Sequence, residues 1–445
     1  MSKNQVINFG CRLNALESEK IRAMLSSRGL TAGPWQIVVN TCAVTSESER
    51  QCRQAVRRIV RENPDTRVFV TGCAATLNPD AFPKSVTVIS NADKMNPESY
   101  GIKDYHMSPI TNLLTLSKGF VQVQNGCNHK CAYCIVSKLR GRNVSFPYER
   151  ILADTRALCD NGYGEIVLTG VDIAGYGSSH GGELPIAQLC RNLLRDVPKL
   201  RRLRLSSMDP AVPMTDLIDL MHSDTRMMPH LHLSMQSGCD EILRAMGRRH
   251  NADMVRGITC HMSHITSSWD MICGFPGETD EMFDKTCALV RELKPIHIHA
   301  FPFSPRPGTV AATMPGQIPR AVSKQRVKIL NDLARENRIQ FMRGRIGQTT
   351  QVLMEENNIA RDEHDIECIM TPLQNKPSKT GVSPSWLRRR PSPVESSDIS
   401  RDSRLRRNDA PLGRLGEVIP AREILDVRII GVCAGARPHF VVQKI

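Results

Sequence analysis

The chain has 445 residues, 40% of them hydrophobic and 23% charged, with a formal net charge of +14 from 59 Lys and Arg against 45 Asp and Glu. At roughly 100 to 200 residues per domain this length supports two to four domains and excludes a small peptide scaffold, and no apolar run reaches the roughly 18 residues of a membrane span. The basic surplus predicts a polyanionic partner, most simply nucleic acid, and no membrane is expected to be involved.

Met1 to Gly10 has neither a basic n-region nor an apolar h-region, so a soluble protein in the cytoplasm is expected. In that compartment the fifteen cysteines stay reduced, and those at short spacings point to metal or redox chemistry rather than disulfides.

The first hundred residues alternate short apolar runs with amphipathic stretches. Strands are predicted at Gln5 to Phe9, Ile37 to Val39 and Val68 to Thr71, and helices at Ala15 to Arg28 and Glu47 to Glu62. That is a small parallel α/β domain, taken as residues 1–105. Its second helix carries Arg50, Arg53, Arg57, Arg58 and Arg61, a face that is either merely solvated or suited to phosphate.

Residues 113–343 repeat the pattern more regularly. Strands are predicted at Phe120 to Gln124, Glu165 to Thr169, Arg202 to Ser206, His230 to Ser234, Trp269 to Cys273 and His297 to Phe301. Helices fall at Pro147 to Asn161, Pro185 to Asp196, Met214 to His222, Asp240 to Met246, Thr279 to Leu293 and Arg320 to Arg343. Six βα units in series predict an α/β fold, a parallel sheet with outer helices, open or curled into a partial (βα)6 barrel. Its chemistry should gather at the carboxyl ends of the strands.

The remainder, 344–445, is different in kind. From Thr371 to Ile445 there are 14 Lys and Arg against 7 Asp and Glu, so half of the net charge, +7 of +14, sits in this tail. Within it Lys376 to Gly416 is rich in Ser, Pro and Arg, with too few apolar residues to offset the entropy of ordering, and is predicted to be disordered. Charge alone is therefore a weak argument for nucleic acid.

The strongest signal is Cys127, Cys131 and Cys134 in QNGCNHKCAYCIV, a CxxxCxxC just after the first strand of the six-unit domain. Three close thiolates with no fourth cysteine nearby can hold three corners of a cubane iron–sulfur cluster and leave one iron open. Zinc is the rival, with His129 as fourth ligand inside one tight loop; unliganded thiols are a third reading. A second triad lies upstream. Cys11, Cys42 and Cys73 are 31 residues apart in each step, and each follows a predicted strand, so they should converge at one sheet edge as joint cluster ligands. The other nine cysteines lack such placement and are read as core or surface thiols.

The CxxxCxxC loop resembles that of the radical S-adenosylmethionine (SAM) superfamily, and the resemblance extends through YGEIVLTGVDIAGYG (Tyr163 to Gly177), RLSSMDP (Arg204 to Pro210) and CGFPGET (Cys273 to Thr279). It implies that Cys127, Cys131 and Cys134 hold the SAM-cleaving cluster, with SAM contacts at Gly164, Glu165, Ser207, Asp209, Gly274 and Gly277. With the second triad, the chain from Val6 to Met354 is similar to the methylthiotransferases, including LSMQSGCDEILRAMGRRH (Leu233 to His250) and FPFSPRPGT (Phe301 to Thr309). That resemblance implies two 4Fe-4S clusters, the auxiliary one on Cys11, Cys42 and Cys73. It also implies a tRNA substrate, an electron donor of the flavodoxin or ferredoxin type, and a monomer.

NFGCRLNALESE, NTCAVTSESE and VTGCAAT look most like the branch that modifies N6-threonylcarbamoyladenosine beside the anticodon, at position 37. The adenosyl radical would then take hydrogen from C2 of the adenine, sulfur from the auxiliary cluster would bond there, and a second SAM would supply methyl. The isopentenyladenosine branch, the branch acting on an aspartate of ribosomal protein S12, and a non-catalytic metal-cluster RNA-binding protein are the alternatives. After Cys134 the chain reads IVSKLRGRNVS where the family more often has a Pro-Tyr pair; Arg140 and Arg142 remain as expected RNA contacts. The family usually closes with a small β-barrel RNA-binding domain. Here Gly347 to Asn357 and Ile424 to Val432 resemble two of its strands, with the Pro/Ser/Arg-rich stretch inserted into, or replacing, the middle of a degenerate or interrupted barrel.

Overall fold

In the N-terminal unit β-branched runs form four parallel strands in the order β1 to β4: β1 (Gln5–Asn8), β2 (Gln36–Thr41), β3 (Arg67–Gly72) and β4 (Thr87–Val88). The structure is a computed structural model and describes residues 4–27, 35–102, 117–177, 186–355, 359–371 and 422–445. The predicted disordered stretch from Lys376 to Gly416 lies outside the described residues.

All six residues of β2 are buried, so this central strand is the hydrophobic axis of the unit; each fully buried Val or Ile contributes about 1.5–3 kcal/mol. Helices α1 (Arg12–Ser27), α2 (Ser46–Glu62) and the short α3 (Cys73–Leu77) follow the first three strands. Thr45 and Ser48 start α2 with a reciprocal capping box, each side chain accepting from the other's backbone N–H at 3.1 Å. Such a cap stabilises a helix by about 1 kcal/mol. It turns the chain back immediately after Cys42. On this helix Arg50 pairs with Glu47 and Arg53 with Glu49, whereas Arg57, Arg58 and Arg61 are exposed.

The central unit has two three-stranded parallel leaves. One is β5 (Gly119–Gln122), β8 (Glu165–Thr169) and β9 (Arg202–Leu205); the other is β10 (His230–Gln236), β11 (Thr266–Cys273) and β12 (His297–Pro302). Single parallel bridges, Leu203 with Met227 and Met208 with Leu233, join them into one curved wall. Among the described residues β5 and β12 are not paired, so the barrel is open along that seam. Between β5 and β8 a two-stranded ribbon of β6 (Gln124–Asn125) and β7 (Val144–Ser145) flanks the cysteine loop and the short helix α4 (Val136–Arg140). The outer helices are α5 (Tyr148–Asp160), α6 (Ile186–Asp196), α7 (Thr215–Ser223), α8 (Asp240–Ala245), α9 (Ala252–Cys260), α10 (Asp280–Leu293) and α11 (Arg320–Arg343). One apolar cluster runs through both leaves and takes in Leu16 of α1, which seats the N-terminal unit against the wall.

The C-terminal unit is a closed five-stranded barrel ordered β13 (Thr349–Met354), β14 (Ile359–Arg361), β15 (Glu367–Met370), β17 (His439–Lys444) and β16 (Ile424–Cys433). The barrel therefore closes around its own core of Val352, Met354, Cys368, Val427, Ile429 and Phe440. Of the two expectations for the long basic stretch, insertion between β15 and β16 fits a closed barrel, and replacement of its middle does not. No helix among the described residues is long and apolar enough to cross a membrane.

Candidate functional site

Strand register brings the upstream triad together. Asn8 pairs with Asn40 and Asn40 with Thr71, so three parallel strands leave the sheet at the same edge, and Cys11, Cys42 and Cys73 stand just beyond it. Asn14 ties the exits by donating to the carbonyls of Phe9 at 2.9 Å and Thr41 at 3.0 Å. A Cβ on Gly10 would lie 3.0 Å from Cys42 Sγ, which measures how tightly the first two loops meet. Burial pushes the Cys42 thiol up, and the neighbouring Cys11 and Cys73 sulfurs push it further in the same direction. Val44 N–H at 3.5 Å and Asn91 Nδ2 at 3.6 Å donate to Cys42 and Cys73 respectively.

The second triad is made by one loop. Buried Gln124 anchors it: its Nε2 donates to the carbonyls of Asn125 and Gly126 and to Asn143 Oδ1, while Oε1 accepts from the backbone N–H of Val171 and Asp172 at 3.0 and 2.8 Å. Ala132 is held from both sides, by its N–H to Met246 O and its carbonyl to Ala311 N–H. The N–H groups of His129 and Val136 point at Cys127 and Cys134 Sγ at 3.4 Å, and Arg248 Nη1 approaches Cys131 Sγ at 3.8 Å. Burial pushes the Cys127 thiol up to about 11 and also raises Cys134, so these sulfurs carry protons until a cation takes them.

Charged groups ring this loop at the carboxyl ends of β8 and β9. His129 Nε2 lies 2.8 Å from Asp172 and 3.7 Å from Asp209. Asp209 also accepts from Arg248 at 2.8 Å, Arg249 at 3.1 Å and Ala211 N–H at 3.0 Å. Burial opposes its ionisation, but Arg248 and these donors outweigh it and hold the carboxyl below its usual range. Ser207 is half-buried two residues earlier on the same segment.

The two triads share a helix. α4 begins two residues after Cys134, packs Leu139 into the N-terminal core and ends at Arg140 beside the upstream triad. At 1.5 Å rise per residue its five residues span roughly 7 Å. Arg306 to Glu49 and Ser304 to Ser46 clamp the other side of the N-terminal unit to the wall.

Four residues of the expected contacts have other partners in the structure. Gly164 and Glu165 stand at the amino end of β8, and Glu165 is four residues, roughly 13 Å of strand, from its carboxyl end. Glu165 is fully buried between Arg204 at 2.7 Å, Lys118 at 3.2 Å and Arg202 at 3.4 Å, where it neutralises three cations, and Gly164 packs on Arg422 of the C-terminal unit. Arg140 is 4% exposed and holds Glu17 at 2.8 Å and Asn14 at 2.7 Å, with Lys94 on the other carboxylate oxygen, so its guanidinium is committed to locking two units together. Gly274 makes its close approach to a helix: a Cβ there would meet Ser323 Oγ at 2.0 Å. Arg142 is exposed, and Gly277 has open space over its Cα and donates to Gly316 O at 2.9 Å. Asp172, Gln124 and Arg248 were missed, although the rule that chemistry gathers at strand carboxyl ends selects Asp172 over Glu165.

Among the described residues, Cys127, His129 and Asp172 form a compact group whose ligand atoms all lie within 4.8 Å of one another. All fifteen cysteines are free of disulfides.

Residues 121–290 match the radical SAM superfamily, and residues 3–91 match the uncharacterized protein family UPF0004. A threonylcarbamoyladenosine tRNA methylthiotransferase MtaB of Rickettsia prowazekii is 39% identical over 82% of this chain and 90% of its own length. The enzyme of that name from Thermotoga maritima is 31% identical over 80% and 87%. A tRNA-2-methylthio-N(6)-dimethylallyladenosine synthase of Ehrlichia chaffeensis is 30% identical over 78% and 86%. Among solved structures, the radical SAM methyltransferase TsrM of Kitasatospora setae superposes with a TM-score of 0.52 at 15% identity, covering 70% of this chain and 77% of that one, which speaks for the fold alone.

Proposed function

This chain belongs to the radical SAM tRNA methylthiotransferases, and from that premise we propose that it places a methylthio group on C2 of N6-threonylcarbamoyladenosine at position 37 of tRNA. The observation that carries the reading is the pairing of two open cysteine triads across α4, one on strand ends and one on a loop. The residues around Cys11 and the 39% identity to the R. prowazekii enzyme favour the threonylcarbamoyl substrate. Relatives at about 30% that act on dimethylallyladenosine make that base the second reading.

Cys127, Cys131 and Cys134 would hold the SAM-binding cluster, and Cys11, Cys42 and Cys73 the auxiliary one. When bound, the first would pass the electron that releases the adenosyl radical from SAM, and the second would supply the sulfur. The chain's own residues position and shield them. Gln124 fixes the loop against the β8 exit, N–H groups aimed at sulfur stabilise thiolate, and Arg248 offsets charge at Cys131. Asp209 and Ser207, with the Gly277 turn, are the proposed SAM contacts, and Arg142 the proposed RNA contact. Nothing in this outline asks a side chain to act as acid or base on the substrate.

The test is anaerobic reconstitution followed by nucleoside mass spectrometry. Roughly eight irons per chain, SAM-dependent 5′-deoxyadenosine and methylthiolation of threonylcarbamoyl tRNA are expected. Methylthiolation of dimethylallyl tRNA alone would give the substrate to the second reading, and bound zinc without SAM cleavage would remove the enzyme reading altogether.

A further inference from the structure

Beside the open seam the lumen of the partial barrel holds a polar chamber of about 390 Å³, walled by His230 and His232 of β10, His297 and His299 of β12, Arg204 of β9 and Arg338 of α11. Most charges around it are matched: Lys118 pairs with Asp365 at 2.5 Å, Arg361 with Glu355 at 3.1 Å, and Arg204 with Glu165 at 2.7 Å. Two guanidinium donors are not. Arg204 is 3% exposed, yet its Nη1 has no hydrogen-bond partner among the described residues. Arg338 Nε is likewise buried without a partner. Burial pulls the pKa of Arg338 below its ordinary value even though Asp362, Asp365 and Glu367 act to raise it, and no carboxylate makes an ion pair with it among the described residues. Burial also lowers His230 and His299 and holds His297 down to about 4, so these three add hydrogen-bonding capacity without competing charge.

The chamber is also lined by Arg12, the residue after Cys11 and so the chain neighbour of an upstream-triad ligand. The two bases that compete as substrate differ in the group on N6. A threonylcarbamoyl group ends in a carboxylate, whereas a dimethylallyl group is apolar and would leave both guanidinium donors unpaired, a loss that a site built for hydrogen bonds discriminates strongly. We propose that this chamber receives the N6 substituent of the target adenosine and that Arg338 pairs with its carboxylate. The inference rests on the threonylcarbamoyl reading above and assigns the residue that enforces it.

Reconstituted holoenzyme, wild type and Arg338→Gln, is assayed on three anticodon stem-loops bearing threonylcarbamoyladenosine, its threonine carboxamide, or dimethylallyladenosine. For the wild type the carboxamide is expected to raise KM about tenfold or more, the loss of one charge-assisted pair. Arg338→Gln should raise KM by a similar factor on the carboxylate loop and add little on the carboxamide, with Arg338→Lys recovering part of the effect. A wild-type KM indifferent to the carboxamide overturns the proposal without any variant having to fold. So does an Arg338→Gln penalty equal on both loops, which would mean a backbone phosphate contact. Wild-type activity on the dimethylallyl loop alone overturns the substrate reading itself and is told apart by its independence of Arg338.

Discussion

The two cysteine triads solve one problem in opposite ways. Cys127, Cys131 and Cys134 sit within eight residues, so local loop geometry, anchored by Gln124, sets their spacing. Cys11, Cys42 and Cys73 are brought together from 62 residues of sequence by parallel register, with no ladder of their own beyond the strand ends. A loop can be disturbed alone, whereas a strand-end triad is as sound as the sheet and the packing behind it. The upstream triad should therefore be the more sensitive to changes far from any sulfur.

The largest test separates the two by function. Cys131→Ala should abolish 5′-deoxyadenosine and methylthio product alike, a fall beyond detection. Cys42→Ala should abolish the methylthio product while SAM cleavage persists, and each variant should retain roughly four irons. If Cys42→Ala also stops SAM cleavage, the division of labour between triads is wrong.

Next is the buried link between them. Arg140, Glu17 and Lys94 are 4%, 3% and 2% exposed, and removing one member of such a set strands charge in the interior. Arg140→Ala is expected to cost about 3–5 kcal/mol in denaturant unfolding. A cost below about 1 kcal/mol would show that the interface carries no weight.

The loop side has its own titration. His250 is completely buried with Nε2 3.1 Å from Met235 O, and burial, then Arg248, holds its pKa down to about 4. The folded protein binds this proton less readily than the unfolded chain does. Stability from this group is therefore full above about pH 6.5 and lost as pH falls towards 4, by roughly 3 kcal/mol at the limit. His250→Gln should flatten that slope in urea unfolding between pH 6.5 and 4; an unchanged slope assigns it elsewhere.

Sequence periodicity located the six core strands and most of the helices because each is long enough to show its pattern, as Glu165–Thr169 and Arg320–Arg343 illustrate. It did not find β14 and β15, three and four residues long, too short for alternation to register. Nor did it find α9, whose signal was Asn251 capping Met254 N–H. The triads were legible as spacing. The faults at Glu165 and Arg140 share a cause: a charged residue near a motif was read as facing a ligand, when its partners, Arg204 and Lys118 or Glu17, lay 39, 47 or 123 residues away in sequence and came near only on folding.

The smallest predicted effect probes the strand-end design most directly. Gly72, one residue before Cys73, has φ +94° and ψ −168°, a region essentially reserved for glycine, and a Cβ there would sit 2.4 Å from Thr41 O. Thr41 is the residue before Cys42, so the clash falls between the exits of β2 and β3 and pushes two ligands apart. Gly72→Ala should cost about 2 kcal/mol of stability, and iron should fall towards roughly four per chain while SAM cleavage survives. Retention of all iron at wild-type stability would mean that the loops beyond the strands, and not the register of the sheet, set the spacing of Cys11, Cys42 and Cys73.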